Sequence, residues 1–210
     1  MINVLIADDH PIVPQGLRQI LSGLPDMEVA GEAINAQQTL EQVRAGGWDV
    51  LVLDISMPGR SGFDILNELK HEQPNLPVLV LSTHSEDQFA VRVLKAGASG
   101  YLTKENAPAE LIRAIRKVVG GGKYISDKLA ESLAFGLDAA TERLSHEALS
   151  DREFQVVQMI ASGKTLADIA ASLSLSAKTV STYRTRLLRK LNLKTTADII
   201  RYAIENGLNK

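Results

Sequence analysis

Asp54 closes the apolar run Val50-Leu51-Val52-Leu53 and is followed by Ile55-Ser56-Met57-Pro58-Gly59. The same arrangement recurs along the first half of the chain. Asp8 and Asp9 close the run from Ile2 to Ala7, Ser82 closes the run from Leu76 to Leu81, and Lys104 follows Gly100–Thr103. Gathered in one place, three carboxylates repel and need a cation or a proton at neutral pH. No His/Cys set accompanies them, so a hard, oxygen-liganded ion such as Mg2+ suits them. A lysine adds a fixed positive charge and a serine adds a hydrogen bond. Metal, ammonium and hydroxyl together would clamp the three oxygens of a phosphoryl group. A carboxylate inside that clamp can act as nucleophile and form an aspartyl-phosphate. Asp54, alone on the central strand and facing the Asp8-Asp9 pair, is the candidate acceptor. His10 is read as a helix-entry residue in preference to a ligand, and His71, His84 and His146 show no ligand spacing.

The elements that position these residues follow from apolar periodicity. The runs Ile2–Ala7, Met27–Ala33, Asp49–Leu53, Leu76–Leu81 and Gly100–Thr103 are too short for helices and read as strands, the central ones buried on both faces. Between them, helical spacing covers Pro11–Ser22, Asn35–Ala45, Gly62–His71, Ser85–Ala96 and Pro108–Val119. Asn35 is a good N-cap, and Gly46-Gly47 and Gly97 are helix stops. Pro14 fits its helix only in the first turn, where the missing N–H has no helical partner. Strands alternating with helices require crossovers and hence a parallel sheet with helices on both faces, a doubly wound α/β fold. Ligands of such sheets bind outside the carboxyl ends of the strands, where all of these polar residues fall.

Composition divides the chain. The net charge of −2 over 210 residues combines an acidic front with a basic back; residues 149–210 hold ten Lys/Arg against five Asp/Glu. That asymmetry suggests two domains with different partners, the back one nucleic acid. The chain has no cysteine, which removes disulfides, zinc-thiolate sites and thiol nucleophiles. No apolar run approaches the ~18 residues of a membrane span, and the N-terminus enters a strand without a basic segment. The expectation is a cytoplasmic protein with no membrane partner.

Asp8-Asp9, Asp54, Ser82, Tyr101 and Lys104, with Met57-Pro58-Gly59 after the central aspartate, resemble the receiver domain of two-component response regulators over about residues 1–122. The resemblance implies a flavodoxin-like five-stranded parallel sheet. It implies that Asp54 accepts a phosphoryl group from a sensor histidine kinase. Mg2+ would be held by Asp9, Asp54 and the backbone carbonyl of Ser56, with Asp8 acting mainly through water. Ser82 would move toward the phosphoryl group while Tyr101 turns inward; otherwise Tyr101 is a half-buried strand aromatic. Thr83 is the other candidate hydroxyl, and counting along the strand to Lys104 favours Ser82. The chain departs from the family pattern at Glu105, where many receivers carry proline, and at Pro14.

The remainder reads as a helical linker over 123–148, with a helix over Asp127–Phe135, followed by a small all-α domain over 149–210. Ser150-Asp151-Arg152-Glu153 is a capping box. Behind it, helices are expected to Gly163, over Leu166–Leu173, over Ala177–Leu191 and over Thr196–Asn206. Two short helices around the turn Ser174-Leu175-Ser176, the second basic and hydroxyl-rich, match a helix-turn-helix; a merely solvated charged helix has the same composition. Leu149–Leu208 resembles the LuxR-type DNA-binding domain through Leu-Ser-Asp-Arg-Glu, Ile-Ala-x-x-Leu, Ser-x-Lys-Thr-Val and Lys-Leu. That resemblance implies base contacts from Ser181, Thr182 and Thr185, and phosphate or groove-wall contacts from Lys178, Thr179, Arg184, Arg186 and Arg189. It also implies a dimer contact on the last helix, at Ile199-Ile200 and Ala203-Ile204, and hence DNA with paired half-sites.

Both halves together resemble the NarL/FixJ subgroup of response regulators. The implied function is transcriptional control by a homodimer that forms on phosphorylation, with RNA polymerase as a further partner. Two other readings stand beside it. Phosphatases with an aspartate nucleophile use a second Asp two residues later; here that position is Ser56, so at most slow self-dephosphorylation is expected and not enzyme turnover. A receiver-like module working without phosphorylation is the other, and the full set of pocket residues argues against it.

Overall fold

The structure, a computed structural model, describes the whole chain except Pro58, Gly59, Ser61, His84, Ser85, Lys128, residues 132–148, Ser174 and residues 209–210; Asp87, Gln88 and Asp151 are described by their backbone. The chain divides into two compact units, Met1–Ser132 and Leu133–Lys210.

The first unit alternates β1 (Ile2–Ala7), α1 (Ile12–Leu21), β2 (Met27–Ala33), α2 (Ala36–Ala45), β3 (Val50–Asp54), α3 (Gly62–Glu72), β4 (Val78–Ser82), α4 (Glu86–Lys95), β5 (Gly100–Thr103) and α5 (Ala107–Val119). All strand pairs are parallel, in the order β2-β1-β3-β4-β5. β3 therefore lies at the centre, and every residue of β3 and β4 is buried. Alternate strand residues, among them Val4, Ile6, Val52, Leu79 and Leu81, pack with Leu17 and Leu21 of α1 and Leu111, Ile115 and Val118 of α5. Their neighbours Leu5, Leu51, Leu53 and Val80 point the other way and are buried as completely. On that side α3 and α4 meet through Phe63 and Phe89, whose rings lie 6.3 Å apart.

Several boundaries differ from expectation for physical reasons. α1 starts at Ile12 after Pro11, which puts Pro14 in the first turn, where it is buried. Asn35 caps α2 by accepting the Gln38 N–H at 2.9 Å. β4 starts at Val78, two residues late, because Pro77 has no N–H to give a ladder. Ser85, expected to open α4, and residues 132–135 of the expected linker helix lie outside the described residues. The segment read as linker still packs on the first unit at its start, where Tyr124 and Leu129 are buried.

The second unit contains α6 (Asp151–Ala161), α7 (Leu166–Ser172), α8 (Ala177–Lys190) and α9 (Thr196–Glu205). The Ser150/Glu153 capping box is present, and two further boxes open α7 (Thr165/Asp168) and α9 (Thr195/Asp198). Phe154, Val157, Ile169, Val180, Leu187, Ile199 and Ala203 are buried. Ser174 of the expected turn lies outside the described residues, and Ser176 caps α8 by accepting the Thr179 N–H at 3.1 Å. No described helix is long and apolar enough to cross a membrane.

Candidate functional site

β1, β3, β4 and β5 end side by side and deliver polar groups to the same edge of the sheet, β1 two of them and the others one each. Parallel pairing sets Asp54 beside Leu81 and Ser82 beside Thr103, while the Lys104 N–H bonds the Ser82 carbonyl at 2.8 Å. The Lys104 ammonium lies 2.8 Å from Asp54 Oδ2 and 2.7 Å from Asp8 Oδ2. Asp8 and Asp54 are almost completely buried, whereas Asp9 is half-exposed. The Ser56 N–H donates to Asp54 Oδ1 at 2.8 Å, which fixes the carboxylate's rotation.

Burial raises the Asp54 carboxyl above the ordinary aspartate value, and the charge of Asp8 adds to that; Lys104 and the Ser56 N–H offset only part of it. Lys104 responds oppositely. Burial disfavours its charge, yet its bonds to Asp54 and Asp8 hold it above the ordinary lysine value. Three carboxylates facing one ammonium leave the pocket negative.

Asp9 Oδ1 is buried without a well-aligned hydrogen bond, while Asp8 Oδ2 meets the Lys104 ammonium at 2.7 Å. Ligand atoms of Asp8, Asp9, Asp54 and His10 all fall within 4.8 Å of one another. Hard oxygen donors, excess negative charge and the buried Asp9 oxygen fit a divalent cation of the Mg2+ type. His10 is the residue the sequence reading set aside. Its ring is exposed, but Nδ1 comes within 3.3 Å of Asp8 and 3.2 Å of Asp9. Its only sequence signal was adjacency to Asp9. The same residue opens α1, where its carbonyl accepts the Val13 N–H at 3.0 Å.

Ser82 is fully buried and Thr83 is exposed. Tyr101 is also fully buried, not the half-buried strand aromatic, and its side chain hydrogen-bonds Ser82. Burial accordingly pushes its phenol well above the ordinary tyrosine value.

In the second unit, Val180 and Leu187 of α8 face the core. Lys178, Ser181, Thr182, Thr185, Arg186 and Arg189 are exposed, most of them three or four residues apart and so on one face. Thr182 and Thr185 donate their hydroxyls to the Lys178 and Ser181 carbonyls at 2.9 and 3.0 Å, which leaves oxygen lone pairs outward. Thr179 is half-buried in the cap. Arg184 reaches across to α9, where Nε donates to Thr196 Oγ1 at 2.8 Å. Lys190 turns to α6 and pairs with the buried Glu153 at 2.6 Å. The dimer expectation on α9 needs correction: Ile199 and Ala203 are fully buried within their own domain, so only Ile200 and Ile204 of the four remain toward solvent.

Comparison with known proteins agrees with this geometry. Residues 4–116 match the response regulator receiver domain family, and residues 147–203 match the bacterial regulatory proteins of the luxR family. The response regulator UvrY of Escherichia coli O6:H1 is 36% identical over 99% of this chain and 96% of its own length. GacA of Pseudomonas viridiflava is 34% identical over 99% and 98%. The RcsB response regulator of Salmonella typhimurium superimposes with a TM-score of 0.72 at 28% identity, covering 97% of each chain. A second RcsB structure, bound to promoter rprA in the presence of the phosphomimetic BeF3−, gives 0.68 at 28% identity over 96% of this chain and 98% of that one. The chain thus belongs to the NarL/FixJ-type response regulators, with a receiver domain followed by a LuxR-type DNA-binding domain.

Proposed function

We propose that Asp54 is the phosphoryl acceptor of a sensor histidine kinase, and that its phosphorylation shifts dimerisation and DNA binding to control transcription. The observation that carries this reading is the isolation of Asp54 at the end of the central strand, buried, with Lys104 at 2.8 Å and Asp8 and Asp9 around it. An Asp54 oxygen attacks phosphorus as the bond to the donor histidine nitrogen breaks. Lys104 holds the transferred group's charge, and the Ser56 N–H keeps the carboxylate aimed. Asp9, Asp54 and the Ser56 carbonyl would hold Mg2+, with Asp8 acting through water; bound there, the ion neutralises charge on the phosphoryl oxygens. Ser82 and Tyr101 form the responsive pair. Ser56 offers no acid/base carboxylate where a phosphatase would carry one, so self-dephosphorylation is slow.

The proposed domain limits are 1–122 for the receiver, 123–148 for the linker and 149–210 for the DNA-binding domain. Ser181, Thr182 and Thr185 read base edges, while Lys178, Thr179, Arg186 and Arg189, with Arg184 at the groove wall, meet the DNA backbone. A cytoplasmic homodimer binds paired half-sites, joined by RNA polymerase at promoters. Incubation with a phospho-donor and Mg2+ tests the acceptor: the wild type takes label and Asp54→Asn takes none. Undiminished label on Asp54→Asn would overturn the assignment.

A further inference from the structure

The chain leaving α5 does not depart from the receiver at once. Tyr124 runs parallel beside Gly100 of β5. The Tyr101 N–H donates to the Tyr124 carbonyl at 3.1 Å, and the Tyr124 N–H donates to the Ser99 carbonyl at 2.9 Å. Gly100 permits this approach, because a Cβ there would lie 2.8 Å from both the Cβ and the carbonyl oxygen of Tyr124. The Tyr124 hydroxyl donates to Glu110 of α5 at 2.7 Å and accepts from Arg113 at 3.0 Å.

Two residues later the chain is fastened again, now to α4. Glu86, the first residue of α4, accepts the Ser126 N–H at 3.0 Å through one oxygen and the Ser126 hydroxyl through the other. Ser126 Oγ in turn accepts the Leu129 N–H at 3.1 Å. Ser126 is thus the N-cap of the helical turn that follows it, and a carboxylate from α4 holds that cap.

Both fastenings bear on the responsive pair. One is to the backbone of Tyr101 itself. The other is to Glu86, four residues after Ser82 in the chain and close enough to the Tyr101 hydroxyl for its charge to oppose ionisation there. We propose that Glu86 and Ser126 are positioning residues that, with Tyr124 beside β5, strap the start of the linker to α4 and β5, so that a change at Ser82 and Tyr101 re-sets the cap held by Ser126 and reaches the DNA-binding domain along the chain. This inference rests on the Asp54 reading for its input.

The test uses the full-length protein, with BeF3− and Mg2+ as the phosphoryl mimic and a duplex selected by the protein from random sequence. In the wild type, the mimic changes amide exchange over 123–131. Glu86→Ala and Ser126→Ala lower the ratio of DNA affinities with and without the mimic by about fivefold or more, while Asp54 labelling proceeds at the wild-type rate. Glu86→Gln keeps an acceptor for the Ser126 N–H and restores part of the ratio. A purely structural role would lower stability and leave the ratio alone. Wild-type ratios in both alanine variants, or exchange over 123–131 that ignores the mimic, would overturn the inference alone. A wild type whose DNA affinity ignores the mimic would overturn the Asp54 reading together with it.

Discussion

Glu153 shows how one side chain serves both the sequence pattern and the fold. Its place three residues after Ser150 announces a capping box, and it accepts the Ser150 N–H at 2.7 Å. Nothing in the sequence announces that its carboxylate also meets Lys190, thirty-seven residues on. Burial alone would raise its pKa, but the Lys190 ammonium and the Ser150 bonds hold it below the ordinary glutamate value of 4.5. A lowered carboxyl contributes stability that is present above its unfolded value and lost as pH falls through its folded one. Glu153→Gln should therefore cost about 1–3 kcal/mol at pH 7 and less near pH 4. Urea unfolding at both pH values measures it; an equal cost at both would contradict the ion-pair origin. Asp8, Asp9, Asp54, Ser82 and Lys104 were legible because each ends an apolar run. His10 was not, since adjacency to Asp9 suits a helix entry better than a ligand.

Helices of the second unit separate roles that composition merges. On α8, Arg186 and Arg189 are exposed while Lys190 is held by α6, although all three read alike as basic residues. Arg186→Ala and Arg189→Ala should each weaken DNA binding with little sequence preference and reduce the salt slope by about 1. A loss confined to one base position would contradict the backbone role. On α9, Ile199 and Ile204 are both isoleucines on an apolar helix, yet only the first is buried. Ile199→Ala should destabilise the domain by about 2–5 kcal/mol. Ile204→Glu should leave stability within about 0.5 kcal/mol and weaken the proposed dimer in sedimentation. The reverse pattern would place the contact elsewhere. The resemblance marked the apolar residues of α9 for a dimer contact, but which of its isoleucines the core would take depends on how α6 crosses it. The Thr165/Asp168 and Thr195/Asp198 caps stand in the sequence as Thr-x-x-Asp, a weaker signal than the Ser-x-x-Glu box.

At the scale of the whole chain, alternating strands and helices led directly to a parallel doubly wound sheet, since parallel neighbours need crossovers. The order β2-β1-β3-β4-β5 lies in pairing between distant segments, which no local pattern encodes. The early linker was likewise misleading: Tyr124 and Ser126 look like ordinary polar connection, and only tertiary contact fastens them to β5 and α4. A phosphoryl group adds roughly two negative charges to a pocket already rich in carboxylate, so it must bias the receiver between two states to be felt by the second domain. The most direct measurement is the dissociation constant for a selected paired half-site duplex, by fluorescence anisotropy, for the wild type and Asp54→Asn with and without BeF3− and Mg2+. The predicted result is tightening of about 5- to 150-fold in the wild type and none in Asp54→Asn. Equal affinities in the wild type, or the same tightening in Asp54→Asn, would contradict a phosphoryl switch at Asp54.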